Sequence, residues 1–184
     1  MAFTGLIVFF LACAREEKTE AEACTACGGA CDGAYTATVS RTHVAGEVDY
    51  SRSPPATGDH NPCWAPWGAH DVEVAPENWV HNLEHGGLVV LWRPDADPAG
   101  VSTLRDWVST LPVGRALATV YTGTMERPFA GVVWEHSVVM DCADTEALGA
   151  LQAKWAGNAP EDLISEPPSA CGDTAADSGT MTGE

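Results

Sequence analysis

Positive charge is what this sequence most lacks. Nine Lys and Arg stand against 26 Asp and Glu, for a formal net charge of −17 over 184 residues. Nucleic-acid binding needs a basic footprint along the phosphates, so that class of partner is excluded. An anionic substrate would have to meet one of the few arginines. The acidic excess, much of it in the two ends of the chain, is the charge of a solvated surface. Histidine is scarce too, with six in the chain. Long apolar runs are absent: the first twelve residues, interrupted by Thr4 and Gly5, form the longest. That is well short of the about 20 residues a membrane-crossing helix needs.

The N-terminal run instead has the length of a signal-peptide hydrophobic region, although no Lys or Arg precedes it. It ends in Leu11-Ala12-Cys13, which resembles the bacterial lipobox, whose cysteine becomes the lipidated first residue. Residues 1–13 are therefore expected to be a signal peptide with a lipidated Cys13. The expected location is the cell envelope, outside the cytoplasm, on the periplasmic side or the cell surface. The lipid would be the only membrane contact. Residues 14–34 read as a flexible, cysteine-containing linker and 161–184 as a disordered acidic tail. Residues 35–160 are left as a single globular domain.

Seven cysteines minus Cys13 leave Cys24, Cys27, Cys31, Cys63, Cys142 and Cys171. An even number in an oxidising compartment points to disulfides. The expected pairing is Cys63 with Cys142, and Cys171 with the Cys24/Cys27/Cys31 cluster. The same cluster, spaced C-x-x-C-x-x-x-C, is also compatible with a soft metal.

Within the domain, 38–50 has strand-like stretches, and 51–70 is a long loop rich in Pro, Gly and Trp. A helix is expected over 76–85, opened by Pro76 and stopped by Gly86-Gly87. Leu88 to Trp92 reads as a strand covered on both faces. Asp97-Pro98 opens a helix with Val101, Leu104, Val108 and Leu111 on one face. Segments 115–122 and 129–140 read as two strands paired with each other. Asp144 caps a last helix carrying Leu148, Leu151 and Trp155, ended by Gly157-Asn158. The fold class is α+β: a small mixed sheet with two or three helices packed on it, most simply on one side.

Chemistry gathers in the first helix. At about 100° per residue, Trp79, Val80 and Leu83 share one side, and His81 and His85 share the other with Asn78 and Asn82. Two imidazoles four residues apart can reach one cation, and Glu84 can serve as third ligand or base. The string H-x-x-E-H matches the inverzincin zinc-protease pattern, with His81 and His85 as ligands and Glu84 as base. His60 lies in the kinked loop before this helix. His136 and Met140 lie further along the chain, on one face of an expected strand, because alternate residues point the same way. A His/Met set suits copper, and His with carboxylate suits zinc.

Several of these residues belong to a longer pattern: His43-Val44, Tyr50, Pro54-Pro55-Ala56-Thr57-Gly58-Asp59-His60, Trp67-Gly68 and Val80-His81-Asn82-Leu83-Glu84-His85-Gly86-Gly87. The pattern resembles the bacterial family catalogued as domain of unknown function 3105. The likeness is strong over about residues 40–95 and fades beyond Arg93. It implies that His43, His60, His81, Glu84 and His85 form one shared feature of the fold, and it carries no activity.

The expectation is a metal-binding lipoprotein, copper first and zinc second, acting as a carrier or holding the ion structurally. His60, His81 and His85 would be ligands, with Glu84, His136, Met140 or His43 completing the shell. A metal-dependent hydrolase and a non-catalytic interaction lipoprotein are the alternatives.

Overall fold

A computed structural model describes residues 30–32 and 40–161. The expected signal peptide with Cys13, the rest of the linker, and the acidic tail beyond Glu161 lie outside the described residues. No helix among those described is long and apolar enough to cross a membrane.

The organising element is β3 (Leu88–Trp92), whose five residues are all buried. A strand that is apolar at every position must be covered on both faces, and it sits centrally in the sheet. Leu88, Val90 and Trp92 point to one face and join the core cluster that contains Leu104, Val108 and Leu148. Val89 and Leu91 point to the other and pack with Trp79, Val80 and Leu83. The helices therefore divide. α1 (Pro76–Glu84) covers one face. α2 (Pro98–Thr110) and α3 (Thr145–Trp155) cover the opposite one. The one-sided packing expected from the sequence is corrected: both faces of β3 need covering, and one layer of helices cannot do that.

β4 (Ala116–Val120) lies parallel to β3, reached through α2 as the crossover. Asp97 starts that helix by accepting the Gly100 backbone N–H, and Asp144 caps α3 in the same way through Ala147. β5 (Phe129–Val133) takes the other edge of β3, antiparallel, so β4 and β5 are not partners as expected; β3 stands between them. The expected single strand 129–140 is a hairpin. β6 (His136–Met140) returns along β5 after the two-residue turn Trp134-Glu135. Glu135 has φ +62° there, in place of the Gly or Asn that usually marks such a turn. Two short strands complete the sheet, β1 (Ala30–Asp32) against β6 and β2 (Gly68–Ala69) against β4. The order is β1-β6-β5-β3-β4-β2. β1 falls in the expected linker and β2 in the expected loop, too short for alternation to reveal either. Of the strand-like stretches expected over 38–50, the described residues 40–50 show one parallel bridge, His43 to His60.

Gly86-Gly87 ends α1 as expected. Gly86 takes φ +84°, the left-handed conformation in which glycine avoids a steric penalty. Gly87 is required by packing. A Cβ there would lie 2.5 Å from two ring carbons of Trp67 and 2.8 Å from the Asn82 carbonyl oxygen. Gly87→Ala should destabilise the domain by about 1–3 kcal/mol through this overpacking. Urea denaturation checks it, and an unchanged midpoint would show that the indole yields freely.

Candidate metal centre

Half of α1 is polar, yet its residues from Trp79 to Glu84 are all buried. The polar side is covered by the loop that precedes it, and Asn78, His81 and Asn82 bond loop backbone. Asn82 donates to the Ala65 carbonyl and accepts from the Ala65 N–H, both at 2.9 Å. Asn78 donates to the Cys63 carbonyl at 2.7 Å. The Asn61 backbone N–H donates to the Glu77 carbonyl at 2.9 Å. Buried backbone groups need such partners, so these bonds pin the loop onto the helix. His60 is thereby carried over Glu84, one turn from His81.

The imidazole orientations follow from their partners. His81 Nδ1 lies 2.7 Å from the Asn61 carbonyl oxygen and His60 Nδ1 lies 2.8 Å from that of Gly58. A carbonyl only accepts, so both Nδ1 atoms carry hydrogen and both rings present Nε2 inward. His60 Nε2 lies 2.9 Å from Glu84 Oε2. With Nδ1 already protonated, that contact holds a second proton, and the two residues form an imidazolium–carboxylate pair. Burial is the largest single influence and works against both charges, but the mutual hydrogen bond and the surrounding charges together outweigh it. The His60 pKa is raised by the bond to Glu84, and that of Glu84 is lowered by His60, with His81 and Arg41 contributing. His81 behaves oppositely. Burial, and the neighbouring His60, His85 and His43, push its pKa down to about 4 against the pull of the Asn61 carbonyl. It is a neutral imidazole near pH 7, the form that ligates metals.

The fourth member comes from the surface. Residues 40–44 run beside the His60 loop, with the Val44 N–H on the His60 carbonyl and the His60 N–H on the Thr42 carbonyl. His43 Nε2 stands 3.9 Å from Glu84 Oε2, with its side chain 51% exposed, whereas those of His60 and Glu84 are 0% and 4% exposed. Arg41 reaches the other carboxylate oxygen, Nη1 to Oε1, at 3.4 Å.

One ligand atom from each of His43, His60, His81 and Glu84 falls within 4.8 Å of all the others. In a tetrahedral zinc site with bonds of about 2.0–2.1 Å, ligand atoms stand about 3.3 Å apart. The group is of the right kind and slightly too wide, and half-exposed His43 has the most freedom to close it. Carbonyl-anchored Nδ1–H groups are the outer partners that usually orient metal-bound imidazoles. The proton between His60 and Glu84 occupies a place that a cation could take. A His3Glu set of this kind could hold a metal ion.

Of the seven ligand candidates, the structure brings four together. His85 lies outside the set, its ring stacked 4.8 Å from His81 and met edge-on by Trp64. The protease-like pairing of His81 with His85 is therefore corrected: Glu84 gathers with His43, His60 and His81, and His85 packs against the His81 ring outside that group. His136 and Met140 are corrected as well. They do share a face of β6, but it is the α3 face, away from α1. His136 stacks on Trp155 at 3.7 Å, and Met140 lies in the core under Leu148. Arg41 was not anticipated. Its spacing from His43 was the available signal, since alternate residues of an extended segment face the same way. Cys63 and Cys142 are disulfide-bonded. Cys24, Cys27 and Cys171 lie outside the described residues, and Cys31 is described only as strand backbone.

No curated protein matches this chain, and no solved structure does. A family model described as "protein of unknown function" does match, over residues 43–168, which takes in every residue of the cluster and both layers of helices. The chain belongs to that family, DUF3105.

Proposed function

We propose that the protein is an exported lipoprotein that binds one divalent metal ion through His43, His60, His81 and Glu84. The observation that carries this reading is the convergence of the four ligand atoms within 4.8 Å. Inward Nε2 atoms, held by backbone carbonyls on His60 and His81, reinforce it. Three imidazoles and a carboxylate are borderline-to-hard donors. Copper owed its place ahead of zinc to Met140, which sits on the far face of the sheet, so zinc becomes the first choice. Three ligands are buried and one is at the surface, an arrangement suited to a carrier that gains and releases its ion through His43.

Export rests on Leu11-Ala12-Cys13 and on the number of cysteines, with Cys13 as the lipid anchor. Cys63 and Cys142 belong to the oxidised set expected there.

Mature protein stripped with chelator and titrated with zinc in the presence of a competing indicator should take up about one equivalent. Elemental analysis after gel filtration should agree. Failure to retain zinc, copper, manganese or iron would overturn the reading. Membrane fractionation of wild type and Cys13→Ala tests the anchor, with release of the variant from the membrane expected.

A further inference from the structure

Arg41 differs from three other arginines of the domain. Arg93, Arg105 and Arg127 each meet an aspartate at 2.7–2.8 Å. Arg41 makes one long contact, 3.4 Å, to a carboxylate that already accepts from His60. Its side chain is 48% exposed and shares the solvent side of the cluster with His43. A guanidinium carries five N–H donors in a fork that matches an oxyanion, and one long contact leaves most of that capacity unused.

Charge points the same way. Three neutral imidazoles and one carboxylate around a divalent ion sum to a single positive charge, and Arg41 adds a second. In a chain of net charge −17 this would be a local cationic site, only partly offset by the Asp59 carboxylate that accepts the Thr42 N–H beside it. A cation held by four protein ligands can also expand to a fifth. Resting on the metal reading above, we propose that the loaded centre binds a small oxyanion of the carboxylate, bicarbonate or phosphate type. The anion sits on the solvent side, between the ion and the Arg41 guanidinium. The protein then takes up its cation together with an anion, and Arg41 is the specificity residue for that partner.

Cobalt(II) is the probe, because its visible bands respond to changes in coordination. Full mature protein with saturating cobalt is titrated separately with acetate, bicarbonate and phosphate, with chloride at matched ionic strength as reference. A saturable spectral change is expected with one or more of the oxyanions and not with chloride, and the three arms identify which type binds. Arg41→Gln, also at saturating cobalt, should weaken that binding tenfold or more. Arg41→Lys, which keeps the charge but loses the fork, should fall in between. A cobalt spectrum indifferent to all three anions, or equal anion affinities in wild type and Arg41→Gln, overturns the proposal while leaving the metal centre standing. Failure of wild type to bind cobalt, zinc or any other divalent ion removes both.

Discussion

His60→Ala should abolish metal loading and, even in metal-free protein, lower stability by about 3–5 kcal/mol. That is the usual cost of removing one partner from a buried ion pair. Its imidazole is fully buried and donates to Glu84, which is itself 4% exposed. Without it the carboxylate keeps only the long contacts to Arg41 and His43. His43→Ala is the contrasting variant. Its half-exposed side chain carries little of the fold, so stability should change by no more than about 0.5 kcal/mol. Metal affinity should nevertheless fall roughly a hundredfold. Structural zinc sites are worth about 10–16 kcal/mol, or near 3 kcal/mol for each of four ligands. Denaturant midpoints with chelator present, and competition titrations with zinc, measure the two effects separately. If His43→Ala binds zinc as tightly as wild type, His43 is not a ligand. If chelated His60→Ala is as stable as wild type, the pair is not what holds the loop to the helix.

Metal-free protein should lose stability steadily as pH falls from about 6.5 to 4, and His81 should account for most of the loss. Its folded pKa is about 4 against an ordinary value of 6.5. Across that window the unfolded chain takes up a proton that the folded chain refuses, so stability falls as pH falls. The full effect is up to about 3 kcal/mol, at 1.36 kcal/mol per pKa unit. The two partners in the ion pair act outside the window or at its margins. His60, with a raised pKa, contributes stability that is fully present below 6.5 and is lost as pH rises through its folded value. Glu84, with a lowered pKa, contributes stability present above 4.5 and lost as pH falls through its folded value. His81→Gln keeps a donor for the Asn61 carbonyl and cannot take up the proton. Denaturation of both proteins with chelator at pH 7 and pH 5 should show a clear loss in wild type and a much flatter response in the variant. Parallel losses would assign the acid sensitivity to another group.

What the sequence determined on its own was local and repetitive. The all-apolar run Leu88 to Trp92 demanded a central strand. Pro76, Asp97 and Asp144 marked three helix starts, because capping and fixed φ act within a turn of the residue concerned. The helix face carrying His81, the Glu84 carboxylate and the double-glycine stop were legible for the same reason. Membership of the family was legible in the string around His81 and the loop around His60. Tertiary structure decided what depends on distant partners. Strand order followed from which edge of β3 remained open after the α2 crossover, a choice that periodicity does not encode. The polar helix face is buried, because Asn78, Asn82 and His81 bond the backbone of the loop laid over it. The ligand set changed accordingly. Spacing of four along one helix puts His81 beside His85, and here the two rings stack on each other. A shared focus required the His60 loop and the 40–44 segment, brought in by backbone bonds between chain positions far apart in sequence. His136 and Met140 share one strand face, as alternation requires, and only the placement of α3 shows that this face looks away from the cluster.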